Sequence, residues 1–136
     1  MYRRCVVALC FVAFGAALDR LVLAQPTGIT RTVLLTTDEP GSKTHEAVVA
    51  VADLESGAVS GRHRHPGIEI GYVLEGAVHV EHEGRPARDV KAGEIFKNDG
   101  VHNATVPAGG RAKVLAVYLV EKGKPLSEPV AGQAGR

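Results

Sequence analysis

Two histidines and a glutamate, His63, His65 and Glu69, lie close together in the stretch Gly61-Arg62-His63-Arg64-His65-Pro66-Gly67-Ile68-Glu69. If the backbone there is extended, His63 and His65 project to one side, because side chains alternate along a strand with period two. Pro66-Gly67 is a turn signal that lets the chain bring Glu69 back towards both imidazoles. Neutral imidazole suits zinc, copper, iron and nickel. Two imidazoles and a carboxylate meeting at one point therefore make part of a coordination shell for a divalent transition metal. A fourth donor has to come from elsewhere. The competing reading is a set of solvated polar residues around a turn flanked by Arg62 and Arg64.

Other chemistries find less support. None of Ser42, Ser56, Ser60 and Ser127 sits in a nucleophile-elbow sequence. Pro107-Ala108-Gly109-Gly110 is a hairpin loop by composition, without the glycine spacing of a phosphate cradle. A net charge of +1 over 136 residues carries no basic surface on the scale that nucleic acid requires. Chemistry, if present, would come from a metal acting as Lewis acid or as the place where dioxygen or substrate binds.

The amino-terminal residues are set apart by their pattern. Met1-Tyr2-Arg3-Arg4 is a short basic start, Cys5 to Leu18 is a run of 14 apolar or small residues, and Val22-Leu23-Ala24 offers small residues before Gln25. This three-part pattern predicts a cleaved secretory signal over residues 1–24 and a protein that is periplasmic or secreted. The run falls short of the roughly 20 apolar residues of a membrane-spanning helix, so no permanent span is expected. Both cysteines, Cys5 and Cys10, lie within it, leaving a mature chain without thiols. Removing Arg3, Arg4, Arg20 and Asp19 leaves 13 basic against 14 acidic residues, a near-neutral surface.

The elements that must position the histidines are short and β-rich. Strands are predicted at Ile29 to Thr36, Ala47 to Ala52, Ile68 to Leu74, Ala77 to Glu83, around Ile95 and Phe96, Val101 to Val106, and Lys113 to Val120. Asp38-Glu39-Pro40-Gly41, Glu75-Gly76 and Glu83-Gly84-Arg85-Pro86 punctuate them as turns. Turn signals at such intervals argue for an all-β sandwich or barrel. Residues 25–46 read as an amino-terminal strand segment, 47–121 as the barrel and 122–136 as a mobile tail. His45, His79 and His82 are expected at the surface. Phe96, Tyr72 and Tyr118 are either pocket-lining or plain core residues. Gly71, two residues after Glu69, either leaves room for a ligand beside the ion or only eases a bend of the sheet.

The spacing Gly57, five residues, His63, one, His65, three, Glu69, six, Gly76 resembles the first motif of the cupin superfamily at every defining position. A second motif is matched in shortened form by Gly93-Glu94-Ile95-Phe96-Lys97-Asn98-Asp99-Gly100-Val101-His102. It reaches its histidine two residues early, lacks the proline, and has Val106 in place of an asparagine. The resemblance, spanning roughly Val48 to Val120, implies a jelly-roll β-barrel with a metal held by His63, His65, Glu69 and His102. The ion would be iron, manganese, nickel, copper or zinc, all of which tolerate this donor set. The similarity to small exported cupins further implies a homodimer and a small-molecule substrate or ligand. Its leading activity is that of a metal-dependent oxygenase of the quercetin-dioxygenase-like kind, with Glu69 able to shift and act as a base. A non-catalytic module binding a small ligand or metal, and a metal-assisted isomerase or lyase, stand as the alternatives.

Overall fold

Alternation of small β-branched and apolar residues with polar ones dictates strands throughout the computed structural model, which describes residues 26–131. The segment read as a signal peptide lies outside the described residues. The strands are β1 (Thr27–Asp38), β2 (His45–Val59), β3 (His63–Arg64), β4 (Gly67–His82), β5 (Arg85–Lys91), β6 (Ile95–Asn98), β7 (His102–Thr105), β8 (Ala112–Glu121) and β9 (Glu128–Pro129). Among the described residues no helix is long and apolar enough to cross a membrane.

All pairings are antiparallel, in the order β1-β2-β8-β4-β7-β3-β9, with β5 and β6 also paired to β4 and the end of β2 touching β7. The result is a small jelly-roll β-barrel. β4 belongs to both of its sheets: Gly67 to Gly76 pair with β8, while Ala77 to His82 pair with β5 and β7. The two strands expected on either side of Glu75-Gly76 are thus one continuous strand that changes sheet at a corner. A register shift between Val73 and Glu75 and a left-handed Gly76, with φ of 72°, make that corner. A side chain at Gly76 would run into the carbonyl group of Arg111, so glycine is the residue that fits.

The inward faces alternate as a half-buried barrel requires. Ala50, Val73, Val80 and Ala116 are wholly buried, and the apolar interior falls into two clusters, one around Val78 and Phe96, the other around Tyr118 and Val120. Burying such a valine or leucine contributes about 1.5–3 kcal/mol each, which is what closes the two sheets on each other.

β5 was not anticipated. Only Val90 of its seven residues is buried, so it carries no alternating signal, and its Pro86 is tolerated because the strand pairs on one side only. The carboxy-terminal segment also departs from expectation. Instead of trailing away, residues 122–131 fold back: Glu128–Pro129 pairs with His63–Arg64, and Leu126 packs on the Tyr118 cluster. The composition there, rich in Gly, Pro and Ser, favours a loop, but a loop is ordered wherever tertiary partners take up its polar groups.

Candidate metal centre

The register of the strands brings the predicted donors to one place. His63 of β3 lies directly opposite His102 of β7, and residues opposed across an antiparallel pair face the same way. On the facing sheet, Glu69 of β4 is flanked in register by Asn98 of β6 and Tyr118 of β8. The imidazole centroids of His63 and His65 are 4.9 Å apart, those of His63 and His102 4.2 Å, and those of His65 and His102 5.1 Å. One ring nitrogen from each of the three falls within 4.8 Å of the others. Glu69 Oε2 stands 3.1 Å from His65 Nε2 and 3.7 Å from His102 Nε2. The second motif, though two residues short, still delivers its histidine, because β3–β7 pairing and not loop length sets the position.

Backbone carbonyls fix which nitrogen faces inward. His63 Nδ1–H donates to Gly61 at 2.8 Å, His102 Nδ1–H to Gly100 at 2.8 Å, and His65 Nδ1–H to Leu126 at 2.6 Å. A carbonyl oxygen can only accept, so each Nδ1 carries the proton and each Nε2 is left to the interior. Orientation of a ligating imidazole through its remote N–H is the usual second-layer support of a metal site.

Ionisation runs the same way. Burial lowers the His63 pKa against the opposing pull of the Gly61 carbonyl, and burial carries His102 down to about 4, so both are neutral near pH 7 with free lone pairs. Burial pushes the Glu69 carboxyl up, but the His65 hydrogen bond and field, with the Asn98 amide at 2.6 Å, win and hold it at about 2. Glu69 is therefore an anion in an interior where it is only 7% exposed. Its Oε2 and the His65 Nε2, both electron-pair donors, need a proton or a cation between them at 3.1 Å. The residues present fit a divalent metal: three inward imidazole nitrogens and one buried carboxylate supply donors and negative charge at one point.

His45 is exposed and His79 pairs with Asp89 at 2.7 Å, as surface residues do. His82 is half-buried like His79, its ring 5.9 Å from that of His102 and its Nε2 3.1 Å from the Lys97 carbonyl. The idea that Gly71 makes room for a ligand is overturned. Phe96, its cross-strand partner, lies over it, and a Cβ there would sit within 2.6 Å of the ring. Glycine at this position admits the aromatic ring, which is how an unshielded glycine in a sheet is commonly covered. Tyr118 is a wholly buried wall residue, its ring 4.9 Å from that of His65. Tyr72 is 42% exposed on the outer face and lines nothing.

Asn98 and the Leu126 carbonyl were missed. Asn98 had a signal, since period two from Phe96 aims it inward beside Glu69; Leu126 had none, since its role depends on the fold of the tail. In front of the cluster lies a small cavity of about 40 Å³, room for a few water molecules or one small polar group, open to solvent at its mouth.

Comparison with known proteins agrees with this architecture. The Cupin domain family matches residues 50–118. Among solved structures, a cupin-like protein from Thermotoga maritima is 25% identical over 78% of this chain and 79% of its own, with a TM-score of 0.59. KdgF from Halomonas sp. is 27% identical over 71% of this chain and 82% of its own, with a TM-score of 0.55. A chain from the complex of Rhodobacter sphaeroides SigE with the anti-sigma ChrR is 25% identical over 67% of this chain, with a TM-score of 0.53; the match spans 44% of that chain, less than half its length. Among curated proteins none matches the sequence. The barrel, its paired motifs and the family match over half of its residues together establish that this chain belongs to the cupin family.

Proposed function

We propose that the protein is an exported cupin that holds a divalent first-row transition ion at His63, His65, Glu69 and His102 and acts as an oxygenase on a small organic molecule. The observation that carries the metal reading is the tethering of all three Nδ1 atoms to backbone carbonyls, which leaves three Nε2 atoms converging beside a buried carboxylate. When bound, the ion supplies Lewis acidity and, if redox-active, a route for electrons to dioxygen. The chain's own residues hold the imidazoles in one tautomer, keep Glu69 ionised, and wall the cavity with apolar side chains that exclude water. As anchored by Asn98 and His65, Glu69 is a weak base; it takes a proton from a substrate only after leaving both. The export reading rests on the pattern of residues 1–24.

The test is metal analysis of the purified mature protein, followed by dioxygen uptake with flavonol and small diketone candidates. Stoichiometric metal lost in His63→Ala and His102→Ala, with uptake in the wild type, supports the reading. Metal without uptake of dioxygen moves the protein to a binding module or to an isomerase or lyase. No metal after supplementation overturns the site.

We also propose a homodimer through β1, which among the described residues is an edge strand paired only with β2, and whose Val33, Leu34 and Leu35 are 54%, 59% and 52% exposed. A purified protein that sediments as a monomer, unaffected by Leu34→Lys, refutes it.

A further inference from the structure

The cavity holds polar groups that the metal reading leaves unused. The Tyr118 hydroxyl is wholly buried and has no hydrogen-bond partner; Glu69 and Arg31 flank it without either closing a bond of normal geometry. A buried hydroxyl left unpaired is destabilising, so its retention calls for an explanation. Arg31 enters the same cavity from β1. Opposite it stands Ala52, small enough to let the long side chain cross the sheet face, and its guanidinium carbon lies 5.7 Å from the centre of the Tyr118 ring. Among the described residues Arg31 makes no ion pair, and it is the only lysine or arginine lining this cavity. Much of the remaining wall is apolar, with Ile29, Leu54, Val78 and Phe96.

We propose that the cavity recognises a small organic monocarboxylate, whose carboxylate sits against the Arg31 guanidinium and the Tyr118 hydroxyl while its body extends out of the mouth beside Ile29. The guanidinium lies over the tyrosine ring, so a carboxylate that draws it aside uncovers the hydroxyl beneath. Both groups then donate to the same anion, and the arginine gains the counter-ion it lacks. Charge selects a monoanion. Glu69 is already negative in the cavity, and a dianion such as inorganic phosphate would set two further charges against one cation. The proposal rests on the metal-site reading for the identity of this cavity as the working site, but the recognition itself requires no metal.

The test is calorimetric titration of benzoate and of its neutral isostere benzamide, in metal-loaded and in chelator-stripped protein. Benzoate is expected to bind at least about tenfold tighter than benzamide in both forms, the scale of a charge-assisted hydrogen bond. Arg31→Gln abolishes the preference, Arg31→Lys keeps part of it, and Tyr118→Phe weakens benzoate more than benzamide. Arg31 is an exposed residue of an edge strand, and thermal unfolding checks that its variants remain folded. Equal binding of the two probes, binding of neither at millimolar concentration, or a preference that survives Arg31→Gln overturns the proposal. A preference seen only in the loaded form also overturns it, by placing the carboxylate on the metal, and leaves the metal reading standing. A preference in a protein that takes up no metal does the reverse.

Discussion

Replacing Asn98 by leucine separates the metal-supporting role of this residue from any role in stability. Asn98 is 2% exposed; its Nδ2 donates to Glu69 Oε2 at 2.6 Å, and its Oδ1 has no partner. Leucine keeps the branched shape but is larger, and because Asn98 lines the cavity the bulkier methyl groups have space to enter it rather than overpack the core. Loss of a hydrogen bond to a charged group costs about 1.5–3 kcal/mol, while removal of a buried, unpaired oxygen returns about 1–3 kcal/mol. The two nearly cancel, and the metal-free variant should unfold within about 1 kcal/mol of the parent. Metal affinity has no such compensation, because the carboxylate loses the group that orients it. It should fall about 10–100-fold, the usual effect of removing such a support. Competition against a chromophoric chelator measures the affinity, and denaturant unfolding of the stripped protein measures the stability. An unchanged affinity, or a large loss of stability with affinity intact, would falsify the assignment and make Asn98 a packing residue.

Three further outcomes follow from the same geometry. Gly71→Ala forces the Phe96 ring aside and should destabilise the protein by about 1–3 kcal/mol, partly recovered in Gly71→Ala/Phe96→Leu; denaturant unfolding that leaves Gly71→Ala as stable as the parent counts against the covering ring. Ending the chain before Pro125 removes the Leu126 carbonyl from His65 and β9 from β3, so metal affinity should drop about 10–100-fold while the barrel still folds; undiminished binding in the same chelator assay would show that the tail is dispensable. In acid, the metal-free protein should lose stability in two stages. His102, depressed from 6.5 to about 4, takes its proton first in the unfolded chain, so the stability it contributes is full above 6.5 and lost as pH falls towards 4. Glu69, depressed from 4.5 to about 2, contributes above 4.5 and loses that contribution between there and 2. A flat stability profile from pH 6.5 to 4, or one that His102→Gln leaves unaltered, contradicts this account.

The sequence by itself determined the class of fold and the residue types of the site. Period-two alternation and turn residues are local properties, so strands such as Ala47 to Ala52 and Lys113 to Val120 were legible at their centres, and the spacing of His63, His65 and Glu69 was legible as a donor set. Strand ends and continuity were not. Whether Glu75-Gly76 ends one strand or bends it depends on β5, β7 and β8 lying on either side, and β5 has a single buried residue to announce it. Tertiary structure alone decided that the shortened second motif still delivers His102, since β3–β7 register overrides loop length. It also decided that Phe96 and not a ligand occupies the space over Gly71, that the tail supplies a carbonyl to His65, and that Arg31 reaches Tyr118 from the far end of the sheet. Each of these is a contact between residues distant in the chain, and its energy exists only once the barrel has closed.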